Sequence, residues 1–202
     1  VEFRGFEKFI QGRPYWEVPV MVQRLCGICP VSHHLAAAKA LDPVVGALAI
    51  TPTAEKIRRL MHYGQILQSH ALHFFHLSSP DLLFGFESPV QQRNIVGVAG
   101  AYPEVAKQGV LLRKFGQEVI RITAGKRVHG TGAVPGGVNK SVTAAERDVL
   151  LADADQMIAW SRDAVQLARR LHETNRALYD EFGLFRSHLF SLVRADGAMD
   201  LY

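Results

Sequence analysis

The amino-acid sequence predicts a mainly α-helical protein built from long helices, with one minor β-hairpin. Apolar residues recur at helical spacing over long stretches, and residues that start and end helices flank those stretches. Composition agrees, because 202 residues that are 48% hydrophobic and 21% charged are enough for one real core. The sequence shows no repeat, low-complexity tract or linker. A single domain over residues 1–202 is therefore expected.

The first helix is expected within residues 1–12, where Phe3, Phe6 and Phe9 share one side at helical spacing. We expect this apolar face to be buried, with the helix ending at Gly12. Glu7 is offset from the face, and taken alone it is typical of a surface carboxylate.

Three long helices are predicted from their capping residues. Thr51 is a good N-cap and Pro52 suits the first helical position. Pro103 can open the second helix and Gly125 can end it, and a capping box starts the third at Thr143. The expected ranges are 52–77, 103–124 and 143–180, with a loop at 78–89 and a short helix within 90–100. Such lengths suit a helical bundle.

The remaining segments are a glycine-rich stretch and the tail. Residues 125–142 contain five glycines and match no regular element. They lack both the Walker spacing and the G-x-G-x-x-G pattern, so a nucleotide site is not expected. Residues 189–202 resemble two short strands around a turn, and the hairpin is predicted there.

Charge and targeting signals narrow the function classes. The net charge is +4 with a pI near 9.2, but Lys and Arg alternate with acids and form no long basic run. A solvated helix surface explains this better than a nucleic-acid site. No apolar run is long enough for a membrane span and no secretory signal is visible. Two cysteines favour a reducing compartment. The missing initiator Met and the abrupt end suggest a piece of a longer protein.

The most informative stretch runs from Arg24 to His34 and holds both cysteines. Cys26 and Cys29 form a Cys-Gly-x-Cys pair, with His33 four positions after the second cysteine. A tight turn is expected there, leading into an Ala-rich helix over 33–41. The positive end of that helix would favour thiolate over thiol.

Residue chemistry leaves several uses of the pair open. A zinc site would add His33 and the adjacent His34, although structural zinc sites usually draw on two separated pairs. A thioredoxin-like pair would need a preceding buried strand, which the prolines before Cys26 disfavour. Two reduced cysteines packed in a core are the remaining alternative. A further histidine set, His70 and His73 with His76, recurs on one helix, but we favour packing or hydrogen-bonding roles for it.

Three blocks in order resemble one protein family. Arg24, Cys26, Gly27, Cys29 and His33 match R-x-C-G-x-C-x-x-x-H, which resembles the N-terminal cysteine signature of nickel-iron hydrogenase large subunits. The segments 3–13 and 125–138 resemble two other blocks of that family. The residues of the cysteine block, CGICPVSHH, are most similar to those of the cytoplasmic, NAD-coupled bidirectional hydrogenases.

The resemblance implies a fold and a site. The fold would be the long-helix bundle of these large subunits. Cys26 would be a terminal nickel ligand and Cys29 would bridge nickel and an iron that carries carbon monoxide and cyanide. His33 would donate a hydrogen bond toward the bridging sulfur, and Arg24 would add positive charge. Glu7 would help to hold a magnesium ion, which prefers oxygen ligands.

The resemblance also implies a reaction and partners. The reaction would be reversible heterolytic cleavage of dihydrogen, with electrons passing through a small iron-sulfur subunit to subunits that carry FMN and NAD. Such a hetero-oligomer would be cytoplasmic. A second Cys-x-x-Cys is expected in a longer chain, because the family uses four cysteines. The alternatives are a zinc-binding module and a non-catalytic scaffold subunit related to the complex I quinone-reductase subunit.

Overall fold

The N-terminal segment folds into short helical turns. The structure, a computed structural model, describes residues 4–200. Helices α1 (Gly5–Ile10) and α2 (Val18–Met21) are followed by a 3₁₀ turn, Val22–Leu25. The expected helix is present, but its predicted burial is wrong for the described residues, since Phe6 and Phe9 are 40% and 53% exposed. Nothing in the described chain covers this short helix. Phe3 lies outside the described residues.

The next two helices begin where the sequence predicts. Helix α3 spans Pro30–Leu41, which includes the expected Ala-rich stretch. Helix α4 spans Pro52–Leu72, and Thr51 caps it because the Thr51 Oγ1 accepts a hydrogen bond from the Ala54 amide at 3.2 Å.

After α4, the chain stays helical for longer than predicted. A π-helical turn, His73–Ser78, leads into α5 (Ser79–Phe84), where the sequence predicts a loop. Pro80 is compatible with this helix because it occupies the first turn, where a missing N–H is tolerated. The Ser79 hydroxyl donates to the Phe75 carbonyl at 2.7 Å and joins the two segments.

Helix α7 (Pro103–Ala124) packs along α4, and α6 (Ile95–Ala101) packs against α7 and α5. Gly125 ends α7 with a φ of 86°, as predicted. Helices α4 and α7 approach closely because glycines face each other. A Cβ on Gly116 would lie 2.7 Å from the Gly64 carbonyl oxygen and 2.7 Å from the backbone nitrogen of Gln68.

The hairpin lies elsewhere than predicted. Strands β1 (Ala133–Val134) and β2 (Gly137–Val138) pair antiparallel within the glycine-rich segment. Each strand has two residues, so no alternating pattern reveals it in the sequence. In the tail, residues 189–200 form one isolated bridge, Val193 to Met199, instead of the expected strands. Residues 201–202 lie outside the described range.

Helix α8 (Ala144–Thr174) starts at the predicted capping box. The Thr143 amide donates to the Glu146 carboxylate at 2.9 Å, and the Glu146 amide donates to the Thr143 Oγ1 at 3.2 Å. The helix breaks at Asn175, and α9 (Arg176–Glu181) follows within the range predicted as one helix.

Contacts divide the chain into two compact units, Val1–Met157 and Ile158–Tyr202. The first unit contains a buried cluster shared by α3, α4, α7 and β1. Its members are Val31, Leu35, Ala38, Met61, Ile120, Ala124 and Ala133. The prediction of a single domain stays a prediction, whereas the mainly helical class is confirmed. Among the described helices, none has an apolar stretch long enough to cross a bilayer.

Candidate metal centre

Both cysteines lie in one turn that leads into α3, as predicted. Cys26 is extended, with φ −148° and ψ 123°, and Cys29 occupies the N-cap position of α3. The Cys29 amide donates a hydrogen bond to the Cys26 Sγ at 3.3 Å. Both thiols are free and partly buried. The turn therefore presents two soft sulfur donors from one short segment.

Gly27, between the two cysteines, is exposed. A Cβ built on Gly27 would meet nothing within 4 Å, and its φ lies outside the left-handed region. The turn alone does not require glycine. The two soft sulfurs themselves fit a metal group with thiolate ligands.

The two thiols differ in acidity. The pKa of the Cys26 thiol is lowered by hydrogen bonds from the Cys29 thiol, from the Cys29 amide and from the Ile28 amide. Burial, together with the hydrogen bond to Cys26 and the charge of Cys26, raises the pKa of Cys29 to about 11. Cys26 therefore ionises first. The raised pKa of Cys29 runs against the expectation that the start of α3 favours thiolate, and burial is its first cause.

Helix α4 holds the turn through one carbonyl. The Ile28 carbonyl oxygen accepts two hydrogen bonds, from the Gln65 Nε2 and the Gln68 Nε2, both at 2.9 Å. The two glutamines are 2% and 5% exposed. Sequence reasoning missed them, because the residue they bind lies 37 and 40 positions away in the chain.

A small cavity of about 60 Å³ lies against the cysteine turn. Its lining includes Gly27, Ile28, Gln65, Arg113 and the glycine-rich segment at Arg127 and Val128. Within residues 4–200, the buried Gln65 Oε1 and Arg113 Nε have no hydrogen-bond partner. The cavity is therefore polar on two sides.

The other predicted site residues lie around the turn without joining the thiols. His33 is partly buried in the first turn of α3, and no hydrogen bond between described atoms links it to Cys29. Arg24 is exposed, and its charge acts on His129, whose pKa is lowered by burial and then by Arg24 and Lys126. His129 has a φ of 53°, in the left-handed region.

Glu7 is exposed in this chain. Its carboxylate pairs with the Arg4 Nε at 2.8 Å, and 61% of its side chain is exposed. Over residues 4–200, no three or more His, Cys, Asp or Glu side chains converge on a point that would hold a metal ion.

His34 takes no part in a zinc set with the cysteines. The Ala133 amide donates to the His34 Nε2 at 3.1 Å, so the proton of the neutral ring lies on Nδ1, 2.9 Å from the Pro19 carbonyl oxygen. Both ring nitrogens are occupied. The zinc site that uses His34 is therefore wrong for this structure.

Two of the three histidines predicted on one helix, His70 and His73, make local hydrogen-bond contacts. The Nδ1 of His70 lies 2.9 Å from the Ile66 carbonyl oxygen, and the ring of His73 lies 3.4 Å from the Ser78 hydroxyl. These contacts agree with the expected hydrogen-bonding roles.

A buried ion pair fixes the glycine-rich segment, and sequence reasoning missed it. Arg58 is fully buried and binds both Asp42 carboxylate oxygens, at 2.7 and 2.9 Å. It also donates to the carbonyls of Val134 and Gly137. The Gly136 amide donates to Asp42 at 2.7 Å. The hairpin is thereby attached to the end of α3 and to α4.

Comparison with known proteins gives consistent results. Residues 4–84 match the family described as nickel-dependent hydrogenase. The chain is 48% identical to the NAD-reducing hydrogenase HoxS subunit beta of Cupriavidus necator and 45% identical to a vhu subunit of the F420-non-reducing hydrogenase of Methanocaldococcus jannaschii. These alignments cover 100% and 98% of this chain but 44% and 47% of the relatives. The chain thus spans about half the length of these curated relatives.

A solved structure shows the same fold. The crystal structure of an NAD+-reducing [NiFe]-hydrogenase in the H2-reduced state superposes with a TM-score of 0.94 and 61% sequence identity. The match covers 100% of this chain and 45% of that chain. A Ni-Fe-Se hydrogenase from D. vulgaris Hildenborough, at 24% identity and a TM-score of 0.72, shares the fold over 89% of this chain.

Proposed function

This chain belongs to the nickel-dependent hydrogenase family, and from that premise we propose that it supplies two of the ligands of a nickel-iron centre in a hydrogenase catalytic subunit. The observation that carries the proposal is the turn at Cys26 and Cys29, which presents two free thiols from one short segment and joins them through the Cys29 amide bond to the Cys26 Sγ. Nickel and low-spin iron prefer soft sulfur ligands. The other two thiolates would come from a second cysteine pair in the longer protein.

Within this proposal each site residue has a role. Cys26 would hold nickel as a terminal ligand, and Cys29 would be the sulfur shared by nickel and iron. His33 donates a hydrogen bond toward the bridging sulfur and so adjusts its electron density. Arg24 adds positive charge near the thiolates. Glu7 contributes an oxygen ligand to a magnesium ion, which would require the carboxylate to leave Arg4.

The proposed reaction is reversible heterolytic cleavage of dihydrogen. When bound, the nickel-iron pair, with carbon monoxide and cyanide on iron, supplies the Lewis acidity that makes dihydrogen ionisable. The Cys26 Sγ would accept the released proton. The Cys29 amide already donates to this sulfur, and such a bond stabilises its anionic form.

Electrons would leave through a small iron-sulfur subunit, which similarity to one component of an NAD-reducing hydrogenase supports. We propose further partner subunits with FMN that reduce NAD. Similarity to one component of an NAD-reducing hydrogenase supports this acceptor. We also propose a cytoplasmic location, which two reduced cysteines support.

Metal analysis of the purified full-length complex tests the proposal. We expect nickel in the wild-type protein, and nickel content should fall at least tenfold in Cys26→Ser and Cys29→Ser, because a hydroxyl is a poor ligand for these metals. Ser32→Ala, in the first turn of α3, serves as the matched control and should retain nickel.

Two other outcomes would contradict the proposal. Active complex without nickel, together with tolerance of Cys26→Ser, would favour the scaffold subunit related to complex I. About one zinc per chain, with no nickel, would favour a zinc-binding module.

A further inference from the structure

We propose that Gln65 and Gln68 are positioning residues that fix the sulfur of Cys26 relative to that of Cys29 through a single peptide unit. The inference rests on the proposed function, since it concerns how the two thiols are presented to a metal. Neither glutamine touches a thiol in the described structure. Their bonds end on the Ile28 carbonyl oxygen, between the two cysteines.

The peptide unit between Ile28 and Cys29 is held at both ends. Its carbonyl accepts the two glutamine amides, and its N–H donates to the Cys26 Sγ at 3.3 Å. The peptide bond is trans, so its C=O and N–H point in opposite directions. Orienting the carbonyl toward α4 therefore aims the N–H away from α4 and at the sulfur.

One donor would satisfy this carbonyl, but two donors fix its direction. A single hydrogen bond leaves the peptide plane free to rotate about the bond axis, because acceptance at a carbonyl oxygen has a broad angular distribution. Two amides placed one helical turn apart on α4 remove that freedom. Both glutamine side chains are buried, so packing limits the movement of the two donors.

We call the pair Gln65 and Gln68 the clamp, and its rigidity comes from α4, the helix that carries it. Gln68 lies where α4 packs against α7, since a Cβ on Gly116 would sit 2.7 Å from the backbone nitrogen of Gln68. Gln65 lines the small cavity, and its buried Oε1 has no hydrogen-bond partner among the described residues. A buried unpaired oxygen lowers stability, so Gln65 is not explained as a stabilising residue.

The consequence for the metal is electronic. A hydrogen bond from an amide to a ligating sulfur reduces the electron density that the sulfur donates, which shifts the properties of the metal. Loss of the clamp would let the Ile28–Cys29 peptide rotate and would weaken the bond to the Cys26 Sγ. The metal would then change its spectroscopic signature even where all its ligands are intact.

The test uses the full-length holoenzyme with Gln65→Met, Gln68→Met and the double variant. Methionine keeps the volume and removes the amide. Gln117→Met is the matched control, because Gln117 lines the same cavity but does not donate to the Ile28 carbonyl. Nickel content, the nickel electron paramagnetic resonance spectrum and the rate of dihydrogen oxidation are measured for each.

We expect the double variant to fold. It should show shifted nickel resonances and a rate roughly tenfold lower than wild type, or it should contain less nickel. Gln117→Met should keep the wild-type nickel content, resonances and rate. A double variant with wild-type nickel content, resonances and rate would overturn the inference and leave the proposed function intact. Absence of nickel from the wild-type complex would instead contradict the proposed function. If the double variant does not fold, the single variants, which each keep one donor, are judged by the same criteria.

Discussion

At the scale of single residues, His34 shows how a buried side chain makes stability depend on pH. It is 1% exposed, and burial lowers its pKa below the ordinary value of 6.5. The neutral ring is needed because its Nε2 accepts the Ala133 amide. Below about pH 6.5 the unfolded chain therefore binds a proton that the folded chain does not. The free energy of unfolding decreases as the pH is lowered through this range.

We predict that His34→Gln reduces the loss of stability between pH 7 and pH 5. Urea unfolding at several pH values measures the effect. The matched control is His188→Gln, since His188 is exposed in the tail, and it should leave the pH dependence unchanged. A variant at position 34 whose stability falls as steeply as that of the wild type would contradict this prediction.

The ion pair of Arg58 and Asp42 leads to a second prediction. Burial opposes ionisation of Asp42, but hydrogen bonds from Arg58 and Gly136 outweigh it, and the pKa of Asp42 is lowered. Arg58→Met leaves a buried carboxylate and two hairpin carbonyls without this donor, so we expect a loss of about 3–5 kcal/mol in unfolding free energy.

The adjacent residue supplies the control. Arg59 pairs with Glu55 one helical turn away on a partly exposed face, so Arg59→Met should cost less than about 1 kcal/mol. Chemical denaturation of both variants distinguishes the two pairs. Equal losses would mean that the buried pair contributes no more than an exposed one.

The thiol pair could be predicted from the sequence because its chemistry is local, with Cys26, Cys29 and the helix start within a few positions. Gln65 and Gln68 could not be, because they act on a residue 37 and 40 positions away. The same holds for Arg58, whose partners lie up to 79 positions away. Sequence spacing carries no information on such distant pairs.

At the scale of elements, the crossing of α4 and α7 depends on glycine. A Cβ on Gly116 would come within 2.7 Å of backbone atoms of α4, which cannot move without shifting the helix. We predict that Gly116→Ala destabilises the protein by about 1–3 kcal/mol despite the higher helix propensity of alanine.

Gly100→Ala in α6 is the matched control, because a Cβ there meets nothing within 4 Å. It should be neutral or should stabilise by up to about 1 kcal/mol. Thermal unfolding of the two variants is sufficient. If Gly116→Ala matched Gly100→Ala in stability, the close helix contact would not be the reason for the glycine.

Helix limits follow the sequence where a cap marks them. Thr51, Gly125 and the box at Thr143 each act within one turn of their own position, and each is found as predicted. The π-helical form of the turn at His73–Ser78 is not predicted, because it has no local signature. The continuation past Leu77 into α5 is not predicted either, because Pro80 resembles a helix break. The hairpin is wrongly predicted in the tail, because its two-residue strands are too short for a pattern.

At the scale of the whole molecule, the N-terminal segment exposes apolar side chains that a solvated surface seldom groups together. Trp16 is 62% exposed and contacts Tyr15 edge to face, with ring centroids 5.2 Å apart. The chain has two tryptophans, so Trp160→Phe leaves Trp16 as the single reporter. Grouped apolar exposure is typical of an interaction surface.

We predict that the Trp16 fluorescence of the isolated 202-residue chain is readily quenched by iodide. In the full-length protein assembled with its proposed partner subunits, the emission contributed by Trp16 should shift to shorter wavelength and its quenching should fall severalfold. In both samples, each in the Trp160→Phe background, the Trp16 contribution is taken as the difference from a variant that also carries Trp16→Phe. Equal quenching in the two would show that this segment stays in solvent.

The glycine contact between α4 and α7 also matters for protein engineering. Gln68 donates a hydrogen bond to the turn that carries the cysteines, and the backbone of Gln68 packs against Gly116 of α7. Helix α7 itself contains no cysteine. Random libraries aimed at catalytic tuning would therefore gain from mutating the middle of α7 as well as the loop that carries the sulfurs. Conversely, grafting that loop onto an unrelated scaffold would discard the helix pair that sets its geometry.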